Sequence, residues 1–284
     1  MKIKSFFLFL FLVVNVSWQT LAQGLTVGSY NIRYANPGDA GNLWTDRAPV
    51  VAALLRFHDF DVFGTQEALK NQLDDINNAL PAYARYGRGR DDGQEKGEHS
   101  AIFYKKDKFK LLNKGDFWLS QTPDKPSLGW DATCCNRICS WVYLQDLTTK
   151  QKFYVFNVHY DHQGVEARKE SSKLLLRKIE EIAGKEPVVL TGDFNGDQQS
   201  EWYLTVANSD LLQDTYKQVP YPYANNASFN AFGKKLDGKQ VIDHVFVTNH
   251  FKVNKWGILT DTYHGKYPSD HFPILVELAY GNKK

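Results

Sequence analysis

Side chains that can bind metals or move protons follow several short apolar segments of this sequence. In the clearest case an apolar run over residues 188–191 leads into Gly192, and Asp193 and Asn195 then stand two residues apart. Because successive side chains of a strand alternate between its faces, these two would project to the same side at a strand end. Taken alone, the segment is better explained as an Asx turn, which Asp, Asn and Gly form readily.

The same placement recurs along the chain, and turn formation does not require histidine. Polar residues that begin or end other predicted strands are Asn31, Gln66, Glu67, His159, Asp161, Asp243, His244, Ser269, Asp270 and His271. Carboxylate and amide oxygens without cysteine are typical of a site for Mg²⁺ or Mn²⁺. Two histidines beside such a cation favour hydrolysis of a phosphate ester, because imidazole and metal neutralise charge while a carboxylate activates water. Either histidine taken singly would more simply be structural.

Short apolar segments rich in Val, Ile, Phe and Tyr, bounded by turn residues, are predicted to be strands. They cover residues 25–32, 62–65, 101–104, 140–144, 153–160, 188–191, 241–247 and 272–278. Helical periodicity predicts helices over 47–57, 68–80 and 165–183, with a short one over 201–207. Helices between some strands and not others indicate a mixed α/β domain. Polar loops at 86–97 and 121–131 are long enough to be functional.

The N-terminal residues have the layout of a secretory signal peptide. Lys2 and Lys4 precede an apolar run over residues 6–16, and the small-residue stretch 20–22 follows. A membrane helix is the alternative, but the run is much shorter than the about 20 residues that cross a bilayer. We therefore expect a signal peptide over 1–22, one domain over 23–284, and a monomeric protein that is secreted or periplasmic.

The composition excludes several classes of protein. The chain has 284 residues, of which 43% are hydrophobic and 14% aromatic, so it has the apolar surface that a disordered chain lacks. Without Lys2 and Lys4 the 34 basic residues fall to 32, which equals the number of acidic ones. Such a balanced charge provides no overall field that would attract a polyanion.

Three cysteines, Cys134, Cys135 and Cys139, allow at most one intramolecular disulfide. One interpretation joins Cys139 to a member of the adjacent pair. The other, at least as good, is that they are small buried or strand-end residues. A closed zinc site is not predicted, because no fourth ligand stands nearby at the usual spacing.

Taken together, the motifs resemble those of the endonuclease/exonuclease/phosphatase superfamily. The matching segments, in the superfamily's order, are Asn31, Gln66-Glu67, Asn157-x-His159, Gly192-Asp193-x-Asn195, Ile242-Asp243-His244 and Ser269-Asp270-His271. The resemblance runs from Val27 to Leu278. It implies a four-layer α/β/β/α sandwich of two packed mixed β-sheets, with the site at one end of the sheets.

The resemblance also implies a role for each matched residue. Glu67 resembles the family's principal metal ligand, and Asn31 and Asp270 resemble the ligands that assist it. The metal implied is Mg²⁺, with Mn²⁺ as the alternative. Asp193 resembles the residue that orients or deprotonates the attacking water, and Asn195 the one that holds a phosphate oxygen or that water. His159 and His271 resemble the imidazoles that face the phosphate, and Glu98 and Asp243 resemble the carboxylates that hold them. Glu95, in the same loop, is an alternative to Glu98.

Arginines outside these motifs are candidates for binding an anionic part of the substrate. They are Arg137 and Arg168, which equally well form surface ion pairs, and Arg90 in the 86–97 loop. The leading prediction is a metal-dependent phosphodiesterase or nuclease whose partner is a phosphate-ester substrate, for which nucleic acid is one candidate. The alternative is a phosphatase or phosphodiesterase for nucleotides, sugar phosphates or sphingomyelin, and a non-catalytic binding module ranks last. If the basic residues of the 86–97 loop, with Arg137 and Arg168, face the cleft of Glu67 and Asp193, a substrate with more than one phosphate is favoured. If they scatter, a small or singly charged ester is favoured.

Overall fold

The computed structural model describes residues 24–281, which form two β-sheets with flanking helices. The strands are β1 (Gly24–Asn31), β2 (Val62–Ala68), β3 (Tyr83–Tyr86), β4 (His99–Lys105), β5 (Phe109–Trp118), β6 (Ile138–Asp146), β7 (Lys152–His159), β8 (Val188–Asp193), β9 (Gln213–Asp214), β10 (Asp243–Val247), β11 (Phe251–Ile258) and β12 (Ile274–Tyr280). The helices are α1 (Trp44–His58), α2 (Lys70–Ala79), α3 (Val165–Ala183), α4 (Glu201–Ala207) and α5 (Thr215–Gln218), with a 3₁₀ turn at Ala231–Gly233.

Each six-stranded sheet combines one parallel pair of strands with antiparallel pairs. The first sheet has the order β11-β12-β1-β2-β4-β3, in which β1 and β2 are parallel. The second has the order β5-β6-β7-β8-β10-β9, in which β7 and β8 are parallel. Since parallel strands run in the same direction, each pair brings its C-terminal residues to one edge of its sheet.

Three clusters of buried apolar side chains separate four layers. One cluster fills the space between the two sheets and includes Val27 and Val155. A second, which includes Leu175, packs α3 and α4 on the second sheet. The third packs α1 and α2 on the first sheet and includes Leu55 and Phe63. The predicted α/β/β/α sandwich with two packed mixed sheets is therefore confirmed.

The sequence patterns missed four strands, β3, β5, β9 and β11. In β5 most side chains between Phe109 and Phe117 are exposed or half-buried, and β11 likewise carries exposed polar residues. Both are edge strands, where polar residues are common and hide the apolar alternation that predicts a strand. The predicted helix over 68–80 begins at Lys70, because β2 continues to Ala68.

The disulfide joins the two adjacent cysteines, Cys134 and Cys135. The interpretation that paired Cys139 with one of them is therefore wrong. Cys139 is a free, fully buried residue of β6 that belongs to the apolar cluster beneath α3. Its side chain is part of the core, whereas Cys134 lies exposed in the preceding loop.

The predicted signal peptide over residues 1–22 lies outside the described residues. Among residues 24–281, no helix combines the length and apolar character needed to cross a membrane.

A buried polar layer joins the two sheets below the ends of their parallel strands. The Gln66 side chain donates to Asn157 Oδ1 at 2.7 Å, and Asn157 in turn donates to the Thr65 carbonyl at 2.9 Å. A side chain at Gly64 would not fit here, because its Cβ would lie 2.4 Å from Thr191 Oγ1. The sheets thus approach closely at this level, which holds the strand ends of both sheets next to each other.

Candidate active site

The second sheet aligns three of the predicted site residues by strand pairing alone. His159, at the end of β7, is the register partner of Asp193, at the end of β8. Asp243, the first residue of β10, is the register partner of Asp193 on its other side. Asp193 therefore lies between a histidine and a second carboxylate, and it is almost fully buried.

The first sheet contributes Asn31 and Glu67 from the ends of its parallel pair. The Asn31 amide donates to Glu67 Oε1 at 3.1 Å and to Asp193 Oδ2 at 3.0 Å, so it bridges the two sheets. Glu67 has a φ of 63°, a left-handed conformation that non-glycine residues adopt at a cost. Asn195, two residues after Asp193, has a φ of 45°.

Asp270 and His271 come from the loop before β12, and buried hydrogen bonds hold this loop against the end of β1. Ser269 Oγ donates to the Asn31 carbonyl at 2.7 Å. The fully buried Arg47 donates through Nη1 to the carbonyls of Ile32 at 2.7 Å and Pro268 at 2.9 Å. The loop is therefore fixed to the strand that carries Asn31.

Asp193 lies in a setting that disfavours its charge. Burial, with the neighbouring Asp243 carboxylate, raises its pKa to about 7. Hydrogen bonds from the Asn195 backbone N–H at 2.8 Å and from Asn31 oppose this rise. A carboxylate with such a pKa is suited to accept a proton near neutral pH.

His271 is held by a carboxylate, as the resemblance implies. Its Nδ1 lies 2.9 Å from Asp243 Oδ2, and its Nε2 lies 3.8 Å from Asp193 Oδ2. Burial would lower the pKa of His271, but the carboxylates of Asp243, Asp193 and Asp270 raise it to about 10. His271 is therefore a cation at neutral pH.

His159 differs from His271, although both face Asp193. Its Nε2 lies 3.7 Å from Asp193 Oδ2, and its Nδ1 lies 3.8 Å from Glu98 Oε2, which is too long for a hydrogen bond. Glu98 instead accepts from Arg90 Nη1 at 2.5 Å. Burial and the charges of Arg137 and Arg90 lower the pKa of His159 well below its usual value. His159 is therefore uncharged at neutral pH, unlike His271.

Glu98, and not Glu95, is the carboxylate that faces His159. The Glu95 side chain is exposed, and its carboxylate lies 3.8 Å from the Lys70 ammonium group. Glu98 lies in the cleft, where burial raises its pKa against the opposing effect of Arg90.

These side chains line a cleft of about 600 Å³. The predicted site residues in its wall are Glu67, Arg90, Glu98, Arg137, His159, Asp193, Asn195, Asp270 and His271. Asn31 and Asp243 are fully buried behind the wall, where they bond to these residues. Arg168 is not part of the wall: it donates to the Asp161 carbonyl at 3.0 Å and stacks on Trp202.

Sequence reasoning missed six residues of the wall. They are Arg33, Tyr34, Cys135, His162, Phe229 and Ile242. A signal exists for Arg33, which stands two residues after Asn31, and for His162, which follows closely on His159. Phe229 comes from an irregular segment with no pattern, yet its ring packs edge-on against His271 at 5.0 Å between centroids.

The Endonuclease/Exonuclease/phosphatase family model matches residues 28–271. The chain belongs to this family. A solved structure of a family member from Bacteroides thetaiotaomicron is 48% identical, with a TM-score of 0.88 over 91% of this chain and 98% of that one. A second, described as a mannosyl-6-phosphatase of the same organism, is 48% identical, with a TM-score of 0.87 over 90% of this chain and all of that one. An uncharacterized protein of Acanthamoeba polyphaga mimivirus is 29% identical over 82% of this chain and 91% of its own length.

The protein is a phosphoesterase of the endonuclease/exonuclease/phosphatase family, and some groups of its cleft could hold a cation. Asp193, Asp243 and His271 form one buried group whose ligand atoms lie within 4.8 Å of one another, and this group could bind a metal. The carboxylates of Glu67 and Asp270 also lie in the cleft wall. Arg33 approaches both, with Nη1 3.8 Å from Glu67 and Nε 3.9 Å from Asp270.

Proposed function

We propose that the protein is a divalent-metal-dependent phosphatase that hydrolyses a phosphate monoester of a sugar. The observation that carries the proposal is the placement of the basic residues. Arg90 and Arg137 line the cleft, whereas Arg168 packs elsewhere. Likeness to the solved mannosyl-6-phosphatase, 48% identical over 90% of the chain, supports the same substrate class.

Two other arginines near the 86–97 loop, Arg85 and Arg88, pair with carboxylates outside the cleft wall. Arg85 lies 2.5 Å from Asp74, and the half-exposed Arg88 lies 3.7 Å from Asp116. A nuclease needs a basic surface that follows successive phosphates. Scattered, paired arginines do not form one, so these residues favour a small ester over a polynucleotide.

The size of the cleft agrees with a small substrate. Its volume of about 600 Å³ lies within the range of about 300–1,000 Å³ that small-molecule sites occupy. Polar and charged groups at its base, with Tyr34, Phe229 and Ile242 in its wall, offer both a phosphate-binding and an apolar part.

In the proposed reaction, water attacks phosphorus, the bond from phosphorus to the sugar oxygen breaks, and the products are the free sugar and inorganic phosphate. Asp193 accepts the proton of the water, for which its raised pKa suits it. The cationic His271 stabilises the charge that develops on the phosphoryl oxygens. Asn195 is held by its bond to the Tyr160 carbonyl at 3.0 Å and has a second amide N–H for a phosphate oxygen.

We propose that Glu67 and Asp270, with Asn31 beside them, hold the metal, and that the metal is Mg²⁺. The position of Arg33 marks a place between the two carboxylates where a positive charge is favourable. Their oxygen ligands suit Mg²⁺, and Asp243 is less suited because it already bonds to His271. When bound, the ion would polarise a phosphoryl oxygen as a Lewis acid.

A substrate panel tests this function on the purified protein. Hexose 6-phosphates, a chromogenic phosphodiester, sphingomyelin, plasmid DNA and RNA would each be assayed with Mg²⁺, Mn²⁺ or EDTA. We expect phosphate release from hexose 6-phosphates that EDTA abolishes. Preferential cleavage of DNA or RNA would contradict the proposal and restore the nuclease prediction.

The substitution Asp193→Asn tests whether the turnover comes from this site. Loss of the base should lower kcat by about 100-fold or more, with the fold retained. Asp210→Asn, a change at an exposed carboxylate outside the cleft wall, is the matched control and should keep wild-type kcat. Equal rates in the two variants would rule out Asp193 as the base.

A further inference from the structure

The disulfide between the neighbouring residues Cys134 and Cys135 lies at the rim of the cleft. Cys135 is half-buried and lines the cleft together with Arg137 and His162, and Cys134 is exposed. The bridge is thus presented to whatever occupies the cleft, on the side where Arg137 flanks His159.

Stabilisation of the fold does not account for this bridge. A disulfide stabilises chiefly by restricting the unfolded chain, and one between adjacent residues closes almost no loop. Neither cysteine belongs to any of the three apolar clusters that hold the layers together. The consequence of the bridge is therefore local to the cleft.

The segment around the bridge is anchored on both sides. Thr133 Oγ1 donates to Gln163 Oε1 at 2.6 Å, and the Asn136 amide donates to the Arg90 carbonyl at 3.3 Å. Two residues after Cys135, the buried Arg137 bonds to Asp161 at 3.3 Å and to His162 at 2.8 Å. The two sulfur atoms are thus held in place next to the charged groups that flank His159.

Among the described residues, the thiol outside the bridge is not suited to opening it. The third cysteine, Cys139, is fully buried, and burial raises the pKa of its thiol, so its thiolate is disfavoured. Since thiol exchange needs a thiolate, the bridge persists as a fixed part of the wall. Disulfide sulfur is polarisable and apolar, and it offers a contact surface among charged neighbours.

We propose that the Cys134–Cys135 disulfide is a specificity-determining surface that contacts the sugar ring of the substrate while the phosphoryl group lies at Asp193. The inference rests on the proposed function, because it assigns the alcohol part of a sugar phosphate to this side of the cleft. The charged residues bind the phosphoryl group, and the sulfur atoms pack on the C–H face of the ring.

Steady-state kinetics of the double variant Cys134→Ser/Cys135→Ser test the proposal. We expect KM for hexose 6-phosphates to rise about tenfold, the effect of losing one apolar contact, with kcat changed by less than about twofold. The inhibition constant of inorganic phosphate, which has no ring, should stay within about twofold of wild type. Reduction of the wild-type protein with dithiothreitol should give the same pattern without any substitution.

Cys139→Ser is the matched control, since it makes the same change at a cysteine outside the cleft wall. It should leave both constants near wild type. An unchanged KM in the double variant would overturn the proposal, and so would an equal rise in the inhibition constant of inorganic phosphate. In either case, turnover of hexose 6-phosphates by the wild-type protein would still uphold the proposed function. If the wild-type protein does not hydrolyse hexose 6-phosphates, both the proposed function and the role of the disulfide are overturned. This assay of the wild type is therefore done before any variant is compared.

Discussion

The two imidazoles that face Asp193 carry different charges because their carboxylate partners are differently engaged. Asp243 bonds directly to His271 at 2.9 Å, and both residues are buried. Glu98 is already paired with Arg90, and it lies 3.8 Å from His159. At the scale of single residues, the site thus combines a cationic His271 with a neutral His159.

This difference predicts unequal effects of removing the two carboxylates. Asp243→Asn should lower kcat by about 100-fold or more, because His271 loses the charge that keeps it protonated and oriented. Glu98→Gln should cost about tenfold or less, since Glu98 does not bond to His159. Phosphate release at saturating substrate measures both rates. A loss in Glu98→Gln as large as that in Asp243→Asn would contradict this assignment.

At the scale of elements, the site depends on how closely the two sheets approach. Each sheet supplies its own half: β1 and β2 carry Asn31 and Glu67, and β8 carries Asp193. Asn31 joins the halves through two hydrogen bonds of 3.0–3.1 Å. Any residue that separates the sheets would therefore also separate Glu67 from Asp193.

Gly64→Ala tests this dependence. Its Cβ would lie 2.4 Å from Thr191 Oγ1 and 2.5 Å from Asn157 Oδ1, so these buried side chains or the strands that carry them must shift. We expect the free energy of unfolding to fall by about 3 kcal/mol and kcat to fall as well. Urea denaturation and phosphate release measure the two effects. In the control Gly38→Ala, the new Cβ meets only the Asn36 side chain, at 3.2 Å. Equal losses of unfolding free energy and kcat in this control would show that close packing of the sheets at Gly64 is not the cause.

Over the whole molecule, basic and acidic residues form local ion pairs, and their near balance leaves no strong overall field. The 34 basic and 32 acidic residues of the chain nearly balance, and several arginines form pairs such as Arg85 with Asp74. The cleft therefore attracts its substrate through its own wall. Export of the protein, with removal of residues 1–22, stays a prediction from the sequence.

Buried histidines make the stability of the molecule depend on pH. His244 is buried beneath α4, bonds to the Gly196 carbonyl at 2.9 Å, and has its pKa lowered by burial. As pH falls below about 6.5, the unfolded chain binds a proton at His244 that the folded protein does not, so stability decreases. Urea denaturation at pH 7.5 and 5.5 measures this effect. Between these two pH values, the free energy of unfolding should decrease less for His244→Gln than for wild type.

Wild type and His244→Gln should differ in the slope of the free energy of unfolding against pH by at most about 1.4 kcal/mol per pH unit, the value for one proton. His264→Gln, at an exposed histidine, is the control and should behave as wild type. Identical pH dependence of wild type and His244→Gln would show that burial of His244 does not set this behaviour.

The amino-acid sequence, together with the family resemblance, predicted the candidate site residues and the fold class. Strand ends punctuated by Asp193, His159 and Glu67 are local patterns, because side-chain alternation and turn chemistry act over a few residues. These patterns, with the family resemblance, predicted the two-sheet sandwich and most of the residues in the cleft wall. Polar edge strands such as β5 were not predicted, because the alternation of apolar and polar residues is weak where neither face of a strand is well buried.

Tertiary structure decided what depends on contacts between residues far apart in the chain. It placed Arg137 in the cleft and Arg168 outside it, although the two looked alike in sequence. It paired Glu98 with Arg90, and it buried His159 near Arg137 and Arg90, which lowers the pKa of His159. It also set Cys135 in the cleft wall. Burial and the pairing of charges are properties of the packed molecule, since a side chain's neighbours, and hence its pKa and exposure, are set only when the sheets and loops meet.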